Sequence, residues 1–251
     1  MYEQVDLEKI IAIAKDAGTE IMKIYEKDFS IVYKDDASPL TEADLKSNEV
    51  ICSQLEEFYP KIPILSEENK EVKYEERKDW KLFWLIDPID GTKEFIKKNG
   101  EFTVNIALVE EGIPVLGVVY APVLDEMYVA KKGLGAFKNG KQLPLVQNKA
   151  PKELLNVVAS KSHLSEETQK FIDNLESKKV EQVSKGSSLK LCMVAEGIAD
   201  IYPRLAPTME WDTAAAHAIV LEAGKKVIQF ESKENVVYNK ENLLNPWFVV
   251  Q

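Results

Sequence analysis

The sequence predicts an N-terminal α+β part joined to a C-terminal α/β part. Three observations carry this. Two stretches near the start repeat apolar residues at helical spacing. Residues 82–142 then hold strand-length apolar runs separated by Gly, Pro and an Asn-Gly turn. After Pro144, strand-like and helix-like stretches alternate.

The first helix is expected from Asp6 to Tyr25, where Leu7, Ile10, Ala14, Ala17, Ile21 and Ile24 form one stripe. A second is expected from Thr41 to Tyr59, ended by Pro60, with Leu45, Ile51, Leu55 and Phe58 as its buried face. A short strand follows at 62–66, then a charged stretch from Glu67 to Asp79 that reads as a solvated loop. Strands are expected at 82–87, 102–110, 115–120 and 126–130, with Asn139-Gly140 as a hairpin turn. Beyond Pro144 the strands fall near 156–159, 180–183, 199–202, 226–229 and 247–250, and the helices near 166–175, 188–196 and 213–223. Gln147-Asn148-Lys149-Ala150-Pro151 reads as a connector. It places the boundary between residues 1–147, expected to carry metal and phosphate chemistry, and residues 148–251, expected to recognise substrate.

The 251 residues, 45% of them hydrophobic, suffice for one large domain or two packed together. The longest apolar run, Gly112 to Leu124, is too short to span a bilayer and is broken by Pro114, Gly117 and Pro122. The N-terminus lacks the basic start and apolar stretch of a signal peptide, so a cytoplasmic location is expected, with peripheral inner-membrane association left open. Cys52 and Cys192 form no Cys-x-x-Cys pair, which argues against a zinc knuckle or a disulfide framework. A net charge of −10 argues against a polymeric nucleic acid partner. It also opposes phosphate binding unless bound cations reverse the sign locally.

The segment with most chemical content is Trp84-Leu85-Ile86-Asp87-Pro88-Ile89-Asp90-Gly91-Thr92. A buried strand delivers Asp87, Pro88 is expected to stop the ladder, and Asp90 follows three residues later. Two close carboxylates repel unless a cation lies between them. Magnesium takes oxygen ligands and accepts phosphate oxygens among them. Gly91-Thr92 opens a short helix whose first N–H groups are available to a phosphate. Glu67 at a strand end, Asp44 in a Thr-x-x-Asp capping box and Asp212 at a helix start each have an ordinary structural explanation as well. Their combination with the Asp87–Asp90 pair is what suggests a site.

Asp87-Pro88-Ile89-Asp90-Gly91-Thr92, Trp211-Asp212-Thr213-Ala214-Ala215 and Ser66-Glu67-Glu68 together resemble the inositol monophosphatase superfamily of magnesium-dependent, lithium-sensitive phosphatases. The resemblance extends to Gly133-Leu134-Gly135-Ala136-Phe137 and Asn139-Gly140, and so covers nearly the whole chain. Within it, Lys93-Glu94-Phe95, Gly186-Ser187-Ser188-Leu189-Lys190 and Ser160-Lys161-Ser162-His163 are most similar to the CysQ-type 3′(2′),5′-bisphosphate nucleotidases of bacteria. Ala216 departs from the glycine usual there.

The resemblance implies a layered αβαβα sugar-phosphatase fold. It implies two or three Mg²⁺ held by Glu67, Asp87, the Ile89 carbonyl, Asp90 and Asp212, with Asp44 and Thr92 accepting the proton of the attacking water. It further implies substrate contacts at Glu67, Ile89, Asp90, Gly91, Thr92, Ser162, His163, Gly186, Ser188, Lys190 and Asp212. The substrate implied is adenosine 3′,5′-bisphosphate, converted to AMP and phosphate, with its sulfated form as a second substrate. The chain would be a monomer or homodimer. Alternatives are an inositol or sugar phosphatase of the same superfamily, or a non-catalytic metal-dependent nucleotide sensor. Gly186, Ser188, Lys190 and His163 are equally compatible with a helix start and solvated surface residues.

Overall fold

The structure, a computed structural model, describes residues 2–27, 31–33, 39–69, 72–146, 154–159, 165–176 and 179–251. The chain begins with helix α1 (Leu7–Tyr25), the pair β1 (Ile31–Tyr33) and β2 (Pro39–Thr41), helix α2 (Glu42–Phe58), β3 (Ile64–Ser66) and the single turn α3 (Tyr74–Arg77). Then come β4 (Leu82–Asp90), α4 (Thr92–Ile96), β5 (Thr103–Glu110), β6 (Ile113–Ala121), β7 (Glu126–Lys131), β8 (Gly135–Lys138) and β9 (Lys141–Gln142). The C-terminal part holds β10 (Leu154–Val158), α5 (Glu166–Asp173), β11 (Lys179–Val183), α6 (Leu189–Glu196), β12 (Tyr202–Arg204), α7 (Glu210–Glu222), β13 (Val227–Gln229) and β14 (Phe248–Val250).

Strands β3 to β9 form one seven-stranded sheet in sequence order. Only the β3–β4 pair is parallel; the rest are antiparallel. Period-two alternation splits its side chains between two cores. Trp84, Ile86, Ile106, Leu108 and Val118 pack with α1 and α2, whereas Phe83, Leu85, Ala107, Val109 and Val119 pack with α6 and α7. Because both faces are covered, the strands read as near-continuous apolar runs rather than alternating ones. Beyond α6 and α7 lie the parallel pair β10–β11 and the antiparallel trio β12–β14–β13. Phe171 and Ile172 of α5 close a third core against Val157 and Val249. Helix, sheet, helix, sheet, helix is the layered αβαβα order that the family resemblance implies.

Helix α1 is capped by Asp6, whose carboxylate accepts from the Glu8 amide, and buries Ile10, Ala14, Ala17 and Ile21 as expected. Helix α2 differs. Its buried stripe is Asp44, Ser47, Ile51 and Leu55, and the expected Leu45 and Phe58 are 52% and 39% exposed. Polar side chains one turn apart take the inward face because they are needed at the site described below, which rotates Leu45 outward. The charged stretch after Glu67 is not all solvated either. Arg77 is buried and donates to Asn239 Oδ1 and to the carbonyls of Lys240 and Glu241. The Asn139-Gly140 turn joins β8 and β9 with positive φ at both residues.

Gly117 of β6 faces α7. A Cβ there would lie 2.1 Å from the Ala215 carbonyl oxygen, so the bare backbone is what lets α7 lie flat on the sheet. Ala216, where the resemblance leads one to expect glycine, is buried in that same core. The connector expected at 147–151 lies outside the described residues. Among the described residues, no helix is long and apolar enough to cross a membrane.

Candidate active site

Asp87 lies within the buried stretch of β4, which runs from Phe83 to Ile89. The expected stop at Pro88 does not occur: β4 continues to Asp90, paired with Thr103 of β5, with a register shift between Asp87 and Asp90. Proline has no N–H to give the ladder, and a bulge absorbs it. The bulge is pinned from α2 by the Ser47 hydroxyl, which donates to the Pro88 carbonyl at 2.8 Å. Within it, the Ile89 amide donates to Asp87 Oδ1 at 3.1 Å. Asp90 Oδ2 accepts from the Ser188 amide at 2.5 Å and lies 3.5 Å from Asn105 Nδ2.

Asp212 lies inside the first turn of α7 rather than before it, because the helix begins at Glu210. Its Oδ2 accepts from the Met209 amide at 2.9 Å. Each of these three carboxylates thus has one oxygen held by a backbone N–H. Asp44, the third residue of α2, accepts from the Thr41 amide at 2.8 Å and the Thr41 hydroxyl at 2.6 Å through Oδ2. Its Oδ1 accepts from the Thr92 hydroxyl at 3.3 Å. The capping box and the link to Thr92 therefore coexist on one carboxylate. Glu67 opens the turn after β3 and is close enough to act electrostatically on Asp44, Asp87 and Asp212.

Burial is the first cause of the raised acidities here. Asp87 is pushed well above the usual carboxylate range by burial, then by Glu67, Asp90, Asp212 and Asp44. Burial and Asp90 raise Asp212 to about 8, and burial raises Asp90 to about 6 against the pull of Lys190. Asp44 rises to about 6 through burial, with smaller contributions from Glu68 and Glu67. A buried group of mutually repelling carboxylates, each with an oxygen to spare, is a donor set for a hard cation. Among the described residues, no group of three or more His, Cys, Asp and Glu side chains is already gathered as a metal site. The residues fit a divalent cation that keeps some ligands from water or substrate, as magnesium does.

A cleft of about 360 Å³ opens beside these acids. Asp90, Gly91, Asp212 and Ser188 line it, together with Lys190, which the sequence had suggested. Sequence reading missed Lys93, Tyr202 and Arg204 as wall residues. Isolated cations carry no pattern, so the fold alone brings Lys93, Lys190 and Arg204 together. The Arg204 Nε is buried and has no hydrogen-bond partner, while its Nη2 donates to the Pro207 carbonyl at 2.8 Å. The Gly186 amide is occupied by the Glu101 carboxylate at 2.9 Å. Ser162 and His163 lie outside the described residues.

Comparison with known proteins identifies the family. The model of the inositol monophosphatase family matches residues 3–247. The "3′(2′),5′-bisphosphate nucleotidase CysQ" of Salmonella typhimurium is 46% identical over 97% of this chain and 98% of its own length. The protein of the same name from Escherichia coli K12 is 44% identical with the same coverage. The crystal structure of CysQ from Bacteroides thetaiotaomicron superposes with a TM-score of 0.88 at 46% identity, covering 98% of this chain and 96% of that one. An inositol monophosphatase from Thermotoga maritima superposes at 0.75 with 28% identity over 96% of this chain and 89% of that one. By the family model over nearly its whole length and by relatives up to 46% identical, the chain belongs to the inositol monophosphatase family.

Proposed function

We propose that this protein is a magnesium-dependent 3′(2′),5′-bisphosphate nucleotidase that hydrolyses adenosine 3′,5′-bisphosphate to AMP and phosphate. The observation that carries the reading is one cleft with two chemistries. Asp90 and Asp212, carboxylates that need a cation, line it together with Lys93, Lys190 and Arg204. A substrate with two phosphates matches both. An inositol monophosphate carries no second phosphate to meet these cations. The names of the 44–46% identical relatives support the same choice.

Glu67, Asp87, the Ile89 carbonyl, Asp90 and Asp212 would hold the Mg²⁺, which supplies positive charge against the phosphoryl oxygens and makes water a better nucleophile. The remaining steps belong to the chain's own groups. Thr92 Oγ1 lies between Asp44 Oδ1 at 3.3 Å and the Ile89 carbonyl at 3.4 Å. It receives the proton of the attacking water as its own passes toward Asp44. Asp44, raised to about 6, has an acidity near neutral working pH, where a general base is most effective. Gly91, with φ of 91°, brings bare backbone to the start of α4, whose first N–H groups have no helical acceptor and can receive a phosphoryl oxygen. Lys190 and Arg204 orient the phosphate that is not cleaved.

The test is phosphate release from adenosine 3′,5′-bisphosphate, its sulfated form, inositol monophosphate and fructose bisphosphate side by side, with Mg²⁺ or with chelator. The nucleotide should be turned over at least tenfold faster than the sugar phosphates, and only with Mg²⁺. A preference for inositol monophosphate would remove the nucleotide assignment. Tight, Mg²⁺-dependent nucleotide binding without phosphate release would instead indicate a sensor.

A further inference from the structure

We propose that Ser187 is a positioning residue for this site: its hydroxyl fastens the start of α6 to the backbone of Asp90 and so fixes the Asp90 carboxylate. The proposal rests on Asp90 acting as a cation ligand.

Ser187 has φ of 50°, in the left-handed region that non-glycine residues rarely occupy. Capping does not require it. Ser188, not Ser187, precedes α6, and no side chain caps that helix. What the conformation achieves is a contact. Ser187 Oγ lies 2.7 Å from the Asp90 carbonyl and 2.7 Å from the Glu101 carbonyl. One hydroxyl hydrogen is shared between the two ends of the segment that links β4 to β5.

Two glycines make this approach possible. A Cβ on Gly91 would sit 2.2 Å from Ser187 Oγ, and one on Gly186 would sit 2.5 Å from the Glu101 carbonyl oxygen. The next residue completes the hold. The Ser188 amide donates to Asp90 Oδ2 at 2.5 Å, and the Ser188 hydroxyl reaches Asn105 Oδ1 at 3.0 Å. The Asn105 amide nitrogen lies 3.5 Å from the same Asp90 oxygen. Main chain and side chain of Asp90 are thus both fixed from α6, leaving Oδ1 to face a cation. A strained residue that its surroundings over-determine in this way is the signature of a built site. The same seam sets the register of Lys190, which follows within the first turn of α6 and lines the cleft.

The test uses the full chain, stripped with chelator and titrated with Mg²⁺ by calorimetry, as wild type, Ser187→Ala and Ser187→Gly. Glycine adopts φ of 50° without steric cost, so it isolates the hydroxyl from the strain and keeps the backbone foldable. Both variants should bind Mg²⁺ at least about tenfold more weakly. Asp6→Ala, which removes the α1 cap far from the cleft, should keep the wild-type affinity while lowering the melting temperature. Ser187→Gly binding Mg²⁺ within twofold of wild type would overturn the clamp. An equal loss of affinity in Asp6→Ala would also overturn it, by making the effect one of general stability. Absence of Mg²⁺ binding in the wild type would instead strike at the reading of Asp90 as a ligand.

Discussion

Burial and neighbouring anions raise the Asp212 carboxyl to about 8, far above its value in an unfolded chain, so without a cation its ionisation opposes folding. The sign follows from linkage. Stability from the protonated form is fully present below the unfolded value and is lost as pH rises through about 8. Asparagine mimics the protonated form and can still accept from the Met209 amide. Asp212→Asn should therefore raise the chelator-treated melting temperature at pH 7.5 by roughly 2–4 °C, about 1 kcal/mol in a domain of this size. The Mg²⁺-dependent rise should disappear in the same variant, as scanning calorimetry with and without Mg²⁺ would show. Asp44→Asn should behave oppositely. It should keep the Mg²⁺ stabilisation and lose kcat by roughly 100-fold, the usual worth of a general base. His217 gives the pH arm. Buried against the Tyr238 hydroxyl at 2.9 Å, it is held neutral, with its acidity lowered to about 3 by burial. The contribution of His217 should be intact above pH 6.5 and fall as pH drops below it, with a limiting slope of about 1.4 kcal/mol per unit. The raised carboxyls act in the opposite direction in wild type and variant alike, so in urea unfolding between pH 7.5 and 5 the stability of wild type relative to His217→Gln should fall as pH drops. Asp87 and Asp90 were legible in the sequence because two acids three apart along a strand are a chemical spacing; Glu67, Asp44 and Asp212 each had an ordinary structural reading, and the resemblance assigned their roles. Arg204 was not legible, because a lone cation says nothing until a fold gives it neighbours, and Lys93 stood only within a motif, without a role at the site.

At the scale of elements, α7 shows why some boundaries escaped the sequence. The helix is buried on nearly every side, so its apolar residues lack the one-sided stripe from which a start could be read. What fixes its first turn comes from distant residues. Buried Glu210 accepts from the amides of Asn239 and Lys240, at 2.7 and 3.0 Å, and from Lys240 Nζ at 2.6 Å. The Asn245 side chain donates to the Met209 carbonyl at 2.8 Å. Arg77 holds the same return segment from the side of the Glu67 turn, so two acid-bearing stretches are tied through 239–241. Glu210→Gln should cost about 2–3 kcal/mol, the worth of losing hydrogen bonds to a buried charge, measured as a shift in the urea midpoint. Gly117→Ala would place a methyl on the Ala215 carbonyl. It should cost about 1–3 kcal/mol of overpacking and weaken Mg²⁺ binding as α7 is pushed off the sheet. The pattern of α2 misled in part for a related reason: Ile51 and Leu55 are buried as expected, but a helix that serves a site turns Asp44 and Ser47 inward, which leaves Leu45 exposed.

For the molecule as a whole, the α+β and α/β parts were readable from the sequence because local periodicity survives packing: two amphipathic helices, a block of strands, then alternation; the layer order came from the family resemblance. The sheet pairing beyond Pro88 was not, since a bulge is a tertiary accommodation and leaves no periodic trace. Net charge frames the function. With −10 overall and buried acids at the centre, the pocket should hold phosphate more tightly once cations fill it. The most direct measurement is a calorimetric Mg²⁺ titration of the chelator-treated chain beside Asp87→Asn, whose carboxylate lies nearest the other acids electrostatically. Saturable Mg²⁺ binding by the wild type, abolished or weakened at least about 100-fold in Asp87→Asn, is the result expected. No binding in the wild type, or equal binding in both, would contradict a shared cation pocket.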